Sequence, residues 1–141
     1  MVPVRRVLTV LALLASATPA LAEGPTAVVE MFTSQGCSSC PPADLMVGEL
    51  AKDPSVLALS FPVDYWDYLG WKDTFADKAF TARQRGYSEA RGDRHVYTPQ
   101  AVVDGVMHAV GSIRDSVIAQ RFDGRARGAL ATHRGESGTW R

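Results

Sequence analysis

Val28-Val29-Glu30-Met31-Phe32-Thr33-Ser34-Gln35-Gly36-Cys37-Ser38-Ser39-Cys40-Pro41-Pro42-Ala43-Asp44 decides how the rest of the chain is read, and it holds the only two cysteines, Cys37 and Cys40. An apolar, β-branched run ends at Phe32, a small polar loop containing Gly36 follows, and a helical pattern starts right after Cys37. Strand, loop and helix in that order place Cys37 at a helix N-terminus. Free backbone N–H groups and the helix macrodipole favour a thiolate over a thiol at such a position.

A C-x-x-C pair is open to three chemistries. As a redox dithiol it cycles between thiols and a disulfide. As half of a structural zinc site it needs four protein ligands. The chain offers no second cysteine pair, and His95, His108 and His133 are too widely spaced for the paired-histidine arm of a finger. As a permanent bridge it closes a loop so short that little unfolded-chain entropy is removed. The redox dithiol is the preferred reading. The alternatives kept beside it are a protein that takes a soft metal such as Cu(I) through the two thiolates, helped by a histidine, and a redox-inactive adaptor.

The 141 residues suffice for one domain with one core. With 46% hydrophobic residues and no low-complexity tract, the composition is ordinary for a globular protein. The first residues match an export signal: Arg5 and Arg6 form the positive start, Val7 to Ala17 is apolar, and Ala20-Leu21-Ala22 is a small-residue cleavage pattern. Residues 1–22 are therefore expected to be a signal peptide, with the mature protein beginning at Glu23 in the bacterial periplasm or outside the cell. The apolar run is shorter than the roughly 20 residues of a membrane span, so no span is expected after cleavage. Without the leader, 13 basic residues stand against 15 acidic ones, a balance that gives no support to nucleic-acid binding.

Along the mature chain, Thr26 to Phe32 lacks clean alternation, as expected of a strand covered on both faces. Ala43, Met46, Val47, Leu50 and Ala51 recur at helical spacing, with Pro41 and Pro42 tolerated in the first turn and Asp53-Pro54 ending the helix. Val56 to Phe61 is a second apolar run, expected to lie parallel to the first after its crossover helix. The cysteines then sit at the carboxyl end of the first strand, where open α/β sheets place their chemistry. An aromatic segment, Tyr65-Trp66-Asp67-Tyr68-Leu69-Gly70-Trp71, precedes a helix expected from Thr74 to Arg91 with the stripe Ala76, Ala79, Phe80, Tyr87 and Ala90. Those aromatics anchor the inserted helix to the sheet, or else line a groove for an extended polypeptide. Asp104-Gly105 between two apolar runs signals a hairpin spanning Ala101 to Val110. A final helix is expected over Ile113 to Phe122, followed by an Arg- and Gly-rich tail, residues 123–141, with no period and an expectation of disorder.

The order strand, helix, strand, inserted helix, Thr98-Pro99, hairpin, helix resembles a thioredoxin fold. The stretch from Val28 to Asp44, Val63 to Asp73, and Tyr97-Thr98-Pro99-Gln100 more closely resemble a family of secreted bacterial thioredoxin-like proteins known as DUF1223. That resemblance implies an α/β, thioredoxin-like domain over residues 23–122 and a cis peptide bond at Pro99. It also implies that this chain is a short member at its C-terminus. The implied activity is thiol-disulfide exchange on protein or small-molecule disulfides, with an electron donor or acceptor protein as partner, no cofactor, and a monomeric state. In the implied roles Cys37 is the nucleophile, Cys40 resolves the mixed disulfide, and Thr98 and Pro99 dock an extended substrate. Glu30 is a candidate proton relay, displaced by one residue from a buried carboxylate of thioredoxin. The pair encloses Ser38-Ser39 where thioredoxin has Gly-Pro, so its potential is its own. No role is assigned to His95, and no metal ligand is named.

Overall fold

The computed structural model describes residues 24–120, so the leader, Phe122 and the tail lie outside the described residues. Ala27–Thr33 forms β1, and every residue of it except Val28 is buried, which is why its sequence does not alternate. Pro41–Leu50 forms α1 and returns the chain to β2, Val56–Pro62, which pairs in parallel with β1 from Ala27 opposite Val56 to Thr33 opposite Pro62. A 3-10 turn, Asp67–Leu69, leads to α2, Lys78–Arg91. β3, Gln100–Val103, and β4, Met107–Val110, follow as an antiparallel hairpin. β3 adds antiparallel to β1, giving the strand order β2-β1-β3-β4. The mixed α/β arrangement is compatible with the thioredoxin-like fold that the sequence implies.

The hairpin turn is where the local sequence is most binding. Asp104 and Gly105 have φ of 51° and 70°, the double left-handed geometry that Asp-Gly accepts at low cost. Asp104 also fastens the turn to β1, since its Oδ1 accepts from Val28 N–H at 2.8 Å and its own N–H donates to Val28 O at 2.9 Å.

The two faces of the sheet are covered differently. On one, Val29 and Met31 of β1 with Ala101 and Val103 of β3 meet Ala43, Met46 and Leu50 of α1. Val117 joins them from α3, helical over residues 114–120. Burying a side chain such as Leu50 stabilises the fold by about 1.5–3 kcal/mol. On the other face Phe32, Val63 and Val102 form a smaller apolar cluster with Phe61, Tyr65, Trp66 and Tyr87.

α2 differs from its expected form in two ways. It begins at Lys78 instead of Thr74, because Asp77 caps it by accepting from Ala79 N–H at 2.7 Å, while Asp73 accepts from Phe75 N–H in the turn before. Its buried positions are Thr81, Gln84 and Ser88, whereas Ala79 and Ala90 of the expected stripe are exposed. Polar side chains win these places because each finds a partner. Thr81 donates to Asp64, and the Gln84 amide donates to both Tyr97 O and Gln100 Oε1 at 2.8 Å. Among the described residues, no helix is long and apolar enough to cross a membrane.

Candidate redox site

Cys37 and Cys40 are joined as a disulfide with Cα atoms 5.4 Å apart. Both are buried, and the residual exposure is on Cys37, at 4% against 0% for Cys40. The helix begins later than the sequence suggests: Cys40, not Cys37, occupies the N-cap of α1. Pro41 and Pro42 explain the shift, because neither has an N–H, so the first helical hydrogen bonds come from Ala43 and Asp44 to Cys40 O. Cys37 instead sits in a tight turn closed by Cys40 N–H to Cys37 O at 3.1 Å. The polar group at its sulfur is Ser39, whose Oγ lies 3.5 Å from Cys37 Sγ.

The loop carrying Cys37 is held from below. Cys37 N–H donates to Ser34 O, Gly36 N–H donates to Ser34 Oγ, and Gln35 N–H donates to Asp73 Oδ2 at 2.9 Å. Thr33 donates to Asp44 Oδ1 at 2.6 Å and so ties the end of β1 to the first turn of α1. Burial pushes the Asp44 carboxyl above its usual range against the opposing Thr33 hydrogen bond, and the Asp73 charge adds to the rise. Ser34, Gln35, Asp44, Asp73 and Phe75 help line a groove of about 230 Å³ beside the cysteine loop. Sequence reasoning missed Asp73 as a neighbour of this loop, since only the fold joins it to Gln35.

Thr98 and Pro99 come to the same end of the sheet. The Thr98-Pro99 bond is cis, and because Gln100 is opposite Phe32, the proline lies level with the end of β1 from which the cysteine loop departs. Trp66 bridges the two segments: its Cβ lies 3.1 Å from where a Cβ on Gly36 would stand, and its indole N–H donates to Thr98 Oγ1 at 2.8 Å. Pro99 O accepts from Gly111 N–H at 2.9 Å, and a Cβ at Gly111 would collide with the Met31 sulfur and crowd Pro99. A side chain there would require the end of the Met31 side chain to move.

The aromatic segment divides between buried and exposed members. Tyr65 and Trp66 pack against the apolar cluster around Phe32, while Tyr68, Leu69, Trp71 and Phe75 are exposed at 56% or more. Trp71 reaches back to the cysteine loop, its indole N–H donating to Gln35 Oε1 at 3.1 Å.

Glu30 is placed on the α2 side of the sheet with both oxygens engaged. Arg83 grips it through Nε at 2.6 Å and Nη2 at 2.7 Å, and Tyr87 donates to it at 2.8 Å. Burial first, then the adjoining Glu30, pushes the Tyr87 phenol up, which keeps it a donor. This bidentate pairing makes Glu30 the anchor of α2 on the central strand.

The chain matches the family model described as protein of unknown function, DUF1223, over residues 28–134. No curated protein is significantly similar to it. Among solved structures, the crystal structure of a protein from Agrobacterium tumefaciens is 44% identical, with a TM-score of 0.70 over 76% of this chain and 48% of that one. This chain thus spans about half the length of that relative. The match of sequence from the cysteine loop through the Thr98-Pro99 hairpin, together with the shared fold, makes this chain a member of the DUF1223 family.

Proposed function

We propose that the protein is an exported thiol-disulfide oxidoreductase acting in the periplasm or outside the cell. The observation that carries this reading is the Cys37–Cys40 disulfide at the carboxyl end of β1, with the Thr98-Pro99 segment alongside. In the reducing direction, the Cys37 thiolate attacks one sulfur of a substrate disulfide and expels the other as a thiolate, which takes up a proton. Cys40, deprotonated, then attacks Cys37 Sγ, closing the disulfide and releasing the second substrate thiol. Two electrons have passed to the substrate, and a donor dithiol must return them. In the oxidising direction the same steps run backwards from the disulfide form.

The difference in exposure favours Cys37 as the attacked and attacking sulfur, with Cys40 as the resolving one. The Ser39 hydroxyl is a hydrogen-bond donor for a Cys37 thiolate and takes the part that Pro41 and Pro42 cannot. Backbone groups of Thr98 offer an edge to an extended polypeptide, and the exposed Trp71 and Phe75 supply apolar contact beside the cysteine loop. Protein or small-molecule disulfides are the proposed substrates, handled by a monomer with a separate redox protein as electron partner.

Turnover of insulin disulfides with a dithiol donor tests the reading. The intact protein is expected to accelerate the reaction, Cys37→Ser to abolish it, and Cys40→Ser to accumulate a mixed disulfide on Cys37. An intact dithiol with no exchange in either direction would sink it. N-terminal sequencing of the exported protein is expected to start at Glu23, and a mature chain starting at Met1 would remove the export step.

A further inference from the structure

Two histidines that are far apart in sequence meet an aspartate where the hairpin folds back on the loop after α2. We infer that Asp93, His95 and His108 form a binding site for a first-row divalent transition metal of the zinc class, separate from the cysteines. One ligand atom from each residue lies within 4.8 Å of the others. His108 Nε2 is already 3.2 Å from Asp93 Oδ2, close to the roughly 3.3 Å between ligand atoms that tetrahedral zinc with bonds of about 2.0 Å requires. The His95 ring stands edge-on to His108, centroids 5.9 Å apart, and is exposed, so a side-chain rotation brings its nitrogen inward without disturbing the core.

The surroundings are those of a ligand set more than of a lone ion pair. Gly92 and Arg94, with φ of 75° and 56°, flank Asp93 in left-handed conformations and turn the loop so that Asp93 and His95 both approach β4. The second nitrogen of His108, Nδ1, lies 2.9 Å from the Tyr97 hydroxyl and 3.4 Å from Gln100 Nε2. With Nε2 on a metal, Nδ1–H donates to Tyr97, the kind of outer partner that orients a ligating imidazole. The carboxylate is equally fixed: Asp93 Oδ1 accepts from His95 N–H at 2.9 Å, and Oδ2 accepts from Arg91 Nε at 2.7 Å. Arg91 shares the aspartate's charge and so moderates affinity, while a free lone pair on Oδ2 still faces His108.

Two imidazoles and one carboxylate suit zinc, nickel or copper(II) better than magnesium or calcium, which favour all-oxygen sets. Three protein ligands leave a coordination position for water. The site would also clasp the loop that runs straight into Thr98-Pro99 onto β4. Gln100 already ties that loop from inside, donating to His95 O at 3.2 Å.

Metal titration of the full-length protein with Cys37 and Cys40 oxidised keeps the thiolates out of play. Zn2+ calorimetry and Co2+ absorption are expected to give one site per chain. His95→Ala and His108→Ala are each expected to lower affinity at least about 100-fold, and Tyr97→Phe to lower it by about 10- to 100-fold through the outer partner. The exposed His95 keeps the test valid should His108→Ala fail to fold. Cys37→Ser with Cys40→Ser, and separately His133→Ala, are expected to leave binding unchanged. No saturable uptake, uptake indifferent to His95→Ala, or uptake lost with the cysteines or with His133 would each overturn the site.

Discussion

The two faces of the sheet solve the same burial problem by opposite means. Facing α1 and α3, the sheet presents Val29, Met31, Ala101 and Val103 to other apolar side chains, and apolar contact holds the layers, with the Thr33–Asp44 hydrogen bond at the end of β1 as a polar exception. Facing α2, it presents Glu30 and Gln100 among its apolar residues, and these are met by Arg83, Tyr87 and Gln84 in a set of hydrogen bonds. Apolar contact is tolerant of small shifts, whereas bonds with fixed length and angle locate α2 to within a few tenths of an ångström. The cysteines hang from the tolerant side, in the turn that leads into α1. The Thr98-Pro99 segment is located from the specified side, through Gln84, Gln100 and Trp66.

If that contrast is right, the largest loss comes from opening a hole on the α1 face. Leu50→Ala is expected to destabilise by about 2–5 kcal/mol, read as a fall in the urea midpoint at constant slope. On the α2 face Gln84→Leu keeps volume but removes the donor from Tyr97 O and Gln100 Oε1, for a loss of about 1–3 kcal/mol. Adding Gln100→Leu is expected to recover part of that loss, since it removes the stranded Gln100 Oε1 while Tyr97 O stays without its donor. A double variant that loses the full sum of both single effects would show that the α2 face is not a coupled network.

The same contrast explains what the sequence could tell. Met46 and Leu50 announce their burial by helical spacing, and the parallel pairing of Val28 to Phe32 with Val56 to Phe61 follows from two apolar runs around a crossover. The α2 face was less legible. Thr81, Gln84 and Ser88 are ordinary surface residues until Asp64, Tyr97 and Gln100 arrive from elsewhere in the chain, and periodicity of hydrophobicity cannot register them. At the redox site the cysteine pair and Thr98-Pro99 were visible as motifs. Pro41 and Pro42 are tolerated in the first helical turn, but their missing N–H groups also delay its hydrogen bonding past Cys37. Asp93, His95 and His108 were invisible as a group because a hairpin, not a spacing, brings them together.

Asp44 is the polar exception on the α1 side and gives the smallest, most discriminating test. Its carboxyl is held above the usual range mainly by burial and secondarily by the Asp73 charge, with Thr33 opposing. A raised pKa in the folded state means that folding favours the protonated form. That stabilising contribution is complete below the unfolded pKa of about 3.9 and is lost as pH rises through the folded value. At neutral pH the charged carboxylate is therefore a small liability, because only part of the Asp44 side chain is covered and water screens the rest. Asp44→Asn keeps an oxygen for the Thr33 hydroxyl and removes the charge, so it is expected to stabilise by a few tenths of a kcal/mol at pH 7. Urea midpoints measured from pH 7 down to pH 3 should show the advantage shrinking as the wild-type carboxyl protonates. A variant less stable than wild type at pH 7 would mean that the negative charge in the first turn of α1 helps the helix dipole more than its burial costs. The α1 side would then depend on electrostatics as much as the α2 side does.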